Sequence, residues 1–170
     1  RFNGQWAFAI WDELKRQLFL ARDRVGVRPI FHTEAGGRLV FGSEIKAIFA
    51  DSSVPRSLDL RTLGDVFTCW SPIDPATSFE GIRQIPAGHY ATLSRAGLDI
   101  RPFWKLPFGP DAAGAGETSL SDWAEELSAL LVDATRIRLR ADVPVGAYLS
   151  GGLDSSLTSS IVKRNFNNLL

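Results

Sequence analysis

Residues 149–156 read LSGGLDSS, and their types and order suit the binding of a phosphate. Gly151 and Gly152 carry no Cβ, so the backbone can turn sharply there and bring its N–H groups close to a ligand. A helix after them would aim its unpaired N–H groups and the positive end of its dipole at the same point. Ser150, Ser155 and Ser156 add hydroxyl donors. Asp154 is an anion beside an anion site, which is unfavourable unless a cation lies between them. Mg2+ would serve, because it takes one or two carboxylates together with phosphate oxygens. The order of residues is neither G-x-x-x-x-G-K-[ST] nor G-x-G-x-x-G, and no lysine is placed to reach a terminal phosphate. A plain glycine turn is the competing reading of a bare Gly-Gly pair. The apolar run before the pair and the helical pattern after it favour the phosphate loop.

The elements that must hold this loop follow from the flanking pattern. Residues 143–149, VPVGAYL, are expected as a buried strand, with a helix from about Asp154 to Arg164. Upstream, Ser119 followed by Asp122 resembles a capping box. Trp123, Leu127, Leu130, Leu131, Ala134 and Ile137 then fall on one helical face. Arg136, Arg138 and Arg140 cluster near the end of that helix, where its dipole favours cations. Helix, strand, glycine loop and helix form the opening of a parallel α/β domain, here 119–170 and truncated. Residues 107–118, PFGPDAAGAGET, read as a linker.

Residues 1–106 have a different rhythm. QWAFAIWD (5–12) is apolar on both parities, so it predicts a strand covered on both faces, with QLFLARD (17–23) as an antiparallel partner. Ile30–Thr33 and Arg38–Gly42 pair around the loop EAGG, and GHYATL (88–93) with LDIRPFW (98–104) around Ser94–Gly97. Pro102 marks an edge. SEIKAIFA (43–50) is expected to be helical with Ser43 as its cap. A second helix follows Asp59, with Leu60, Leu63, Val66 and Phe67 on one face. The fold class is therefore an α+β sandwich of antiparallel sheets followed by the start of a parallel α/β domain.

Composition narrows the function classes. A hydrophobic content of 45% can bury a core. Nineteen basic and nineteen acidic residues cancel, which argues against nucleic acid as a partner. No apolar run approaches the ~18–20 residues of a membrane span. The one cysteine, Cys69, excludes an internal disulfide and fits a cytoplasmic protein. The chain opens with Arg1, contains no methionine, and reads as a fragment.

DVPVGAYLSGGLDSS (142–156) resembles the pyrophosphate loop of the glutamine-hydrolysing asparagine synthetase family. FNGQWAFAIWD (2–12), ARDRVGVRPIF (21–31), FGSEIKAI (41–48) and FEGIRQIPAGHY (79–90) resemble, in order, the later half of its glutamine amidotransferase domain. The resemblance implies that 1–106 is the second part of an N-terminal-nucleophile hydrolase-like sandwich. It also implies that 119–170 opens an ATP-pyrophosphatase domain. ATP and Mg2+ would be bound, and aspartate, glutamine and ATP would be the small-molecule substrates, with a homodimer as the candidate assembly. Leu149 would line the ATP site beside the adenosine. Ser150, Gly151, Gly152, Ser155 and Ser156 would cradle pyrophosphate, and Asp154 would hold the metal. The implied reaction adenylates the side-chain carboxylate of aspartate. Ammonia from glutamine then attacks, giving asparagine, AMP and pyrophosphate.

Departures from the family pattern matter equally. Its glutaminase nucleophile is a cysteine at the mature N-terminus. Position 1 here is arginine, so no catalytic residue is assigned and the chain alone is expected to be inactive. Cys69 is expected to be buried or half-buried, and Asn3–Gly4 takes no oxyanion role. His32 and His89 are read as surface or packing residues, Trp6, Phe8 and Trp11 as core. The run Arg22, Asp23, Arg24 and Arg28 is either a domain contact or a solvated, salt-bridged turn. Two alternatives stay open: a relative that amidates or cyclises another carboxylate, and a non-catalytic interaction domain.

Overall fold

The computed structural model describes residues 2–106 and 119–166, so the linker expected at 107–118 lies outside the described residues. The chain divides into two compact units, Arg1–Phe108 and Gly109–Leu170.

The first unit holds seven strands: β1 (Ala7–Asp12), β2 (Gln17–Arg22), β3 (Phe31–Ala35), β4 (Arg38–Gly42), β5 (Arg83–Gln84), β6 (His89–Ser94) and β7 (Gly97–Pro102). They form a four-stranded sheet ordered β1-β2-β6-β7 and a three-stranded sheet ordered β4-β3-β5, with every pair antiparallel. The three expected hairpins are present. Gly36 and Gly37 turn β3 into β4 with φ of 57° and 72°, the two-residue geometry that matches strand twist. Strand β5 pairs with only two residues of β3, too short to show a period-2 pattern. Leu20 and Ala91 of the first sheet meet Ile30 and Ile85 in one buried cluster that also takes in Leu39 of β4, so the two sheets share a core. A second cluster, Ala35, Ile48, Val54 and Ile82, packs the far face of β3 beneath a short helix, α1 (Ile45–Ile48).

Helix α2 (Leu60–Cys69) starts as expected. The Asp59 carboxylate accepts from the N–H groups of Arg61 at 3.0 Å and Thr62 at 3.1 Å. Its apolar face does not form as expected: Thr62 is the buried residue, while Leu60 and Phe67 are exposed. Other expectations also fail. Glu44, not Ser43, occupies the cap position of α1, without a side-chain bond. Strand β1 is an edge strand with Ala9, Ile10 and Trp11 exposed, so it is not covered on both faces. Cys69 is exposed, because α2 turns Thr62 inward and its last turn outward.

The largest correction concerns Arg22 and Asp23, which are buried at 6% and 0% exposure. Asp23 accepts from the backbone N–H of Val27 and Arg28 at 3.0 Å each and of Trp6 at 3.3 Å. The Arg22 guanidinium donates to the carbonyls of Ile85 and Gly26 at 2.7 Å and of Arg28 at 3.1 Å, and it lies 3.4 Å from Asp74. At these two positions the run is buried inside the first unit and is not a solvated turn. Gly26, with φ of 69°, is required there: a Cβ would lie 2.7 Å from the Arg22 guanidinium.

Replacing Asp23 by Ala removes the acceptor of three part-buried N–H groups, and unfolding in urea is expected to show a loss of about 2 kcal/mol. Burial raises the Asp23 carboxyl, but the Arg28, Val27 and Trp6 donors outweigh it and hold it below its ordinary 3.8. Its contribution is therefore complete above pH 3.8 and lost as the pH falls through the lower folded value. Asp23→Asn should lack that acid-side decline, and an unchanged profile would refute the role.

Candidate functional site

The second unit contains α3 (Leu120–Arg138) and α4 (Leu153–Asn165), which pack against one another. The capping box at the start of α3 is realised: the Ser119 hydroxyl accepts from the Asp122 N–H at 3.1 Å, and the Asp122 carboxylate accepts from the Ser119 N–H at 3.2 Å. Ile161 and Val162 of α4 are buried, whereas Trp123, Leu127 and Leu130 on the expected apolar face of α3 are mostly exposed.

The segment 143–149 is not a strand. It runs as irregular chain, with Val143, Tyr148 and Leu149 exposed at 69%, 99% and 67%. An apolar run becomes a strand only when a neighbouring backbone completes its ladder, and no strand of the second unit lies beside it among the described residues.

The glycine loop nevertheless has a defined shape. Gly151 adopts φ of 82°, in the left-handed region, and Gly152 caps α4 with an extended backbone. The Ser150 and Ser155 hydroxyls are 2.9 Å apart, and Ser155 also donates to the Gly152 carbonyl at 3.1 Å. The Gly152 N–H points at the Ser150 oxygen at 3.4 Å. A Cβ at Gly152 would sit 3.4 Å from that same oxygen, tight for any side chain. The first regular helical bond is Ser156 N–H to the Gly152 carbonyl at 3.1 Å. The N–H groups of Leu153, Asp154 and Ser155 therefore lie ahead of the helical ladder, free to face a ligand.

The structure thus brings Ser150, Gly151, Gly152, Asp154, Ser155 and Ser156 together in one turn, and leaves Leu149 exposed at its entrance. Leu153 was not singled out from the sequence. Its contribution is a main-chain N–H at the first helical position, which any residue there would supply. The donor set fits phosphate oxygens: three aligned N–H groups, two or three hydroxyls and a helix N-terminus. For a cation the chain offers Asp154, and no group of three acidic, histidine or cysteine side chains is gathered among the described residues. Asp154 would hold Mg2+ jointly with phosphate oxygens, not alone. The first unit carries two histidines in separate sheets, His32 on β3 and His89 on β6. His32 is packed at 6% exposure and His89 is half-buried, and both line one cleft between those sheets.

The first unit is thus an α+β fold of two antiparallel sheets, and the second presents a glycine turn at the start of a helix. Residues 1–104 match the glutamine amidotransferase domain and residues 126–169 match asparagine synthase. The chain belongs to the glutamine-hydrolysing asparagine synthetase family. It is 39% identical over 165 residues to asparagine synthetase [glutamine-hydrolyzing] 3 of Bacillus subtilis, covering 96% of this chain and 26% of that protein. It is 37% identical to an amidase of Gibberella zeae, covering 94% of the chain and 23% of the amidase. A putative asparagine synthetase of Methanocaldococcus jannaschii is 33% identical over 99% of the chain and 32% of its own length. The chain spans about a quarter to a third of the length of these relatives. No helix of the described residues is long and apolar enough to cross a membrane.

The loop depends on its left-handed residue. Gly151→Ala meets no atom within 4 Å, yet φ of 82° strains any Cβ by about 1 kcal/mol. Amide exchange across 153–156 should accelerate severalfold, and unchanged exchange would show that the turn does not need glycine.

Proposed function

We propose that the parent protein is a glutamine-dependent amide synthetase that adenylates the side-chain carboxylate of aspartate with ATP and amidates it with ammonia from glutamine. The observation that carries this reading is the glycine turn at 150–156 on a chain matched over 1–104 by a glutamine amidotransferase domain and over 126–169 by asparagine synthase. Ser150, Gly151, Gly152, Ser155 and Ser156 hold the β- and γ-phosphates as pyrophosphate. Leu149 lies against the adenosine, and Asp154 holds Mg2+. Bound there, the metal supplies charge neutralisation for the departing pyrophosphate. The chain's own part is orientation. Fixed N–H donors point at the oxygens on which charge develops, and they need no reorganisation when the bond breaks. The chemical logic is that a carboxylate is a poor electrophile, and attaching AMP gives it a good leaving group.

A second reading keeps the loop chemistry and changes the acceptor to another carboxylate. The amidases of Gibberella zeae and Penicillium rubens, 37% and 36% identical, favour it. We assign residues 1–170 no glutaminase nucleophile in either reading.

Isotope exchange between ATP and pyrophosphate in the full-length protein separates the readings. Exchange that requires aspartate supports the first, and exchange that requires a different carboxylate supports the second. Asp154→Ala should lower exchange by about a hundredfold or more, with the melting temperature unchanged because its side chain is exposed. Undiminished exchange would remove Asp154 from the metal role. The 170-residue chain should bind ATP–Mg2+ more weakly than about 1 mM, because the loop and Leu149 are exposed and no wall for the adenosine stands among the described residues. Tight binding by calorimetry would contradict that.

A further inference from the structure

The two sheets of the first unit enclose a cleft of about 650 Å3, lined from one sheet by His32, Glu34 and Arg83 and from the other by His89, Leu98 and Ile100. The strand register explains the grouping. His32 lies directly opposite Arg83 in the β3–β5 pair, and Glu34 is two residues along β3, so the three share one face. On β6 and β7, His89 is paired with Pro102, which puts it on the same face as Ile100 and Leu98.

Three features make this cleft more than a gap. His32 is 6% exposed, and its Nε2 is buried without a hydrogen-bond partner, an arrangement that costs free energy. Arg83 and Glu34 carry opposite charges but form no ion pair or hydrogen bond among the described residues. His89 donates from Nδ1 to the Ala87 carbonyl at 2.8 Å, which orients its ring in the cleft. Burial first, then the Arg83 charge, holds the His32 imidazole below its ordinary 6.5 against the pull of Glu34, so it stays neutral at physiological pH.

The cleft therefore offers one exposed cation, one exposed anion, two imidazoles and an apolar wall. A simple anion would meet Arg83 but be opposed by Glu34, and a simple cation would meet the reverse. A molecule carrying both charges on one carbon answers both. We propose that this cleft binds a small zwitterionic amino acid with an apolar side chain, its carboxylate between Arg83 and His32, its ammonium towards Glu34 and His89, and its side chain on Leu98 and Ile100. The site shares no residue with the phosphate loop, and the inference stands independently of the proposed reaction.

The test uses the 170-residue chain and three probes of similar length: L-norleucine, hexanoate and pentylamine. Imidazole carbon–proton correlations report His32 and His89 directly, and the methyl groups of Ile48 and Val54, in the cluster on the other face of β3, serve as controls. Norleucine should shift both imidazoles saturably and leave the controls in place, with each single-charge probe at least tenfold weaker. Arg83→Gln and Glu34→Gln change exposed side chains, so the fold should persist, and each should weaken norleucine about tenfold. Absence of a saturable shift up to about 50 mM, equal affinity for the three probes, or undiminished binding to Glu34→Gln would overturn the proposal.

Discussion

Arg22 and Asp23 are neighbours in sequence with opposite charges, yet each is buried against main-chain groups instead of against the other. Burying a charge is costly unless hydrogen bonds surround it, and here backbone carbonyls surround the cation while backbone N–H groups surround the anion. The consequence is positional. Asp23 ties the entry of β1 through Trp6 and closes the turn at Val27 and Arg28, and its own carbonyl receives the Gly88 N–H just before β6. Arg22 ties that turn to Ile85. With those segments held, Ile30 and Ile85 bond to each other by backbone and drop their side chains between the sheets. The shared core therefore rests on a polar junction at its rim.

The same junction orders the opposite face of the four-stranded sheet. Trp6, fixed by its bonds to Asp23, stacks with Phe103 at a ring separation of 5.8 Å and leans on Phe8. Phe19 continues the row to Tyr90. Cross-strand aromatic contacts of this kind add to area burial only when the register is exact, and the register of β1 against β2 is set where Ala7 meets Arg22. Trp6 and Phe8 thus pack half-buried in a row of rings outside the buried clusters, not in the core as expected, and Trp11, farther along the edge strand, stands exposed.

What could be read from the sequence was local. Hairpins, the Asp59 cap, the Ser119–Asp122 box and the glycine turn all depend on residues a few positions apart, and each formed where expected. What could not be read depends on neighbours distant in sequence. VPVGAYL carries a strand's composition, but a parallel strand exists only in the company of others. The burial of Arg22 and Asp23 was illegible because their partners are carbonyls and N–H groups, which every residue has and none advertises. The cleft that unites His32 with His89 needed the packing of two sheets, and Cys69 needed the orientation of a helix. Of the candidate site, the loop's shape was legible and its walls were not.

The absence of a cationic side chain from 149–156 bears on what such a loop can select. Main-chain N–H groups and a helix terminus attract negative charge, but only with partial charges, and Asp154 sets a full negative charge in the same turn. A free phosphate would therefore gain from the dipoles and lose to the carboxylate. A phosphate already carrying a divalent cation meets the carboxylate as a ligand, and the opposing interaction changes sign. On the proposed reading, the loop discriminates by charge state before shape. A metal–nucleotide complex would then suit the turn better than a free phosphate.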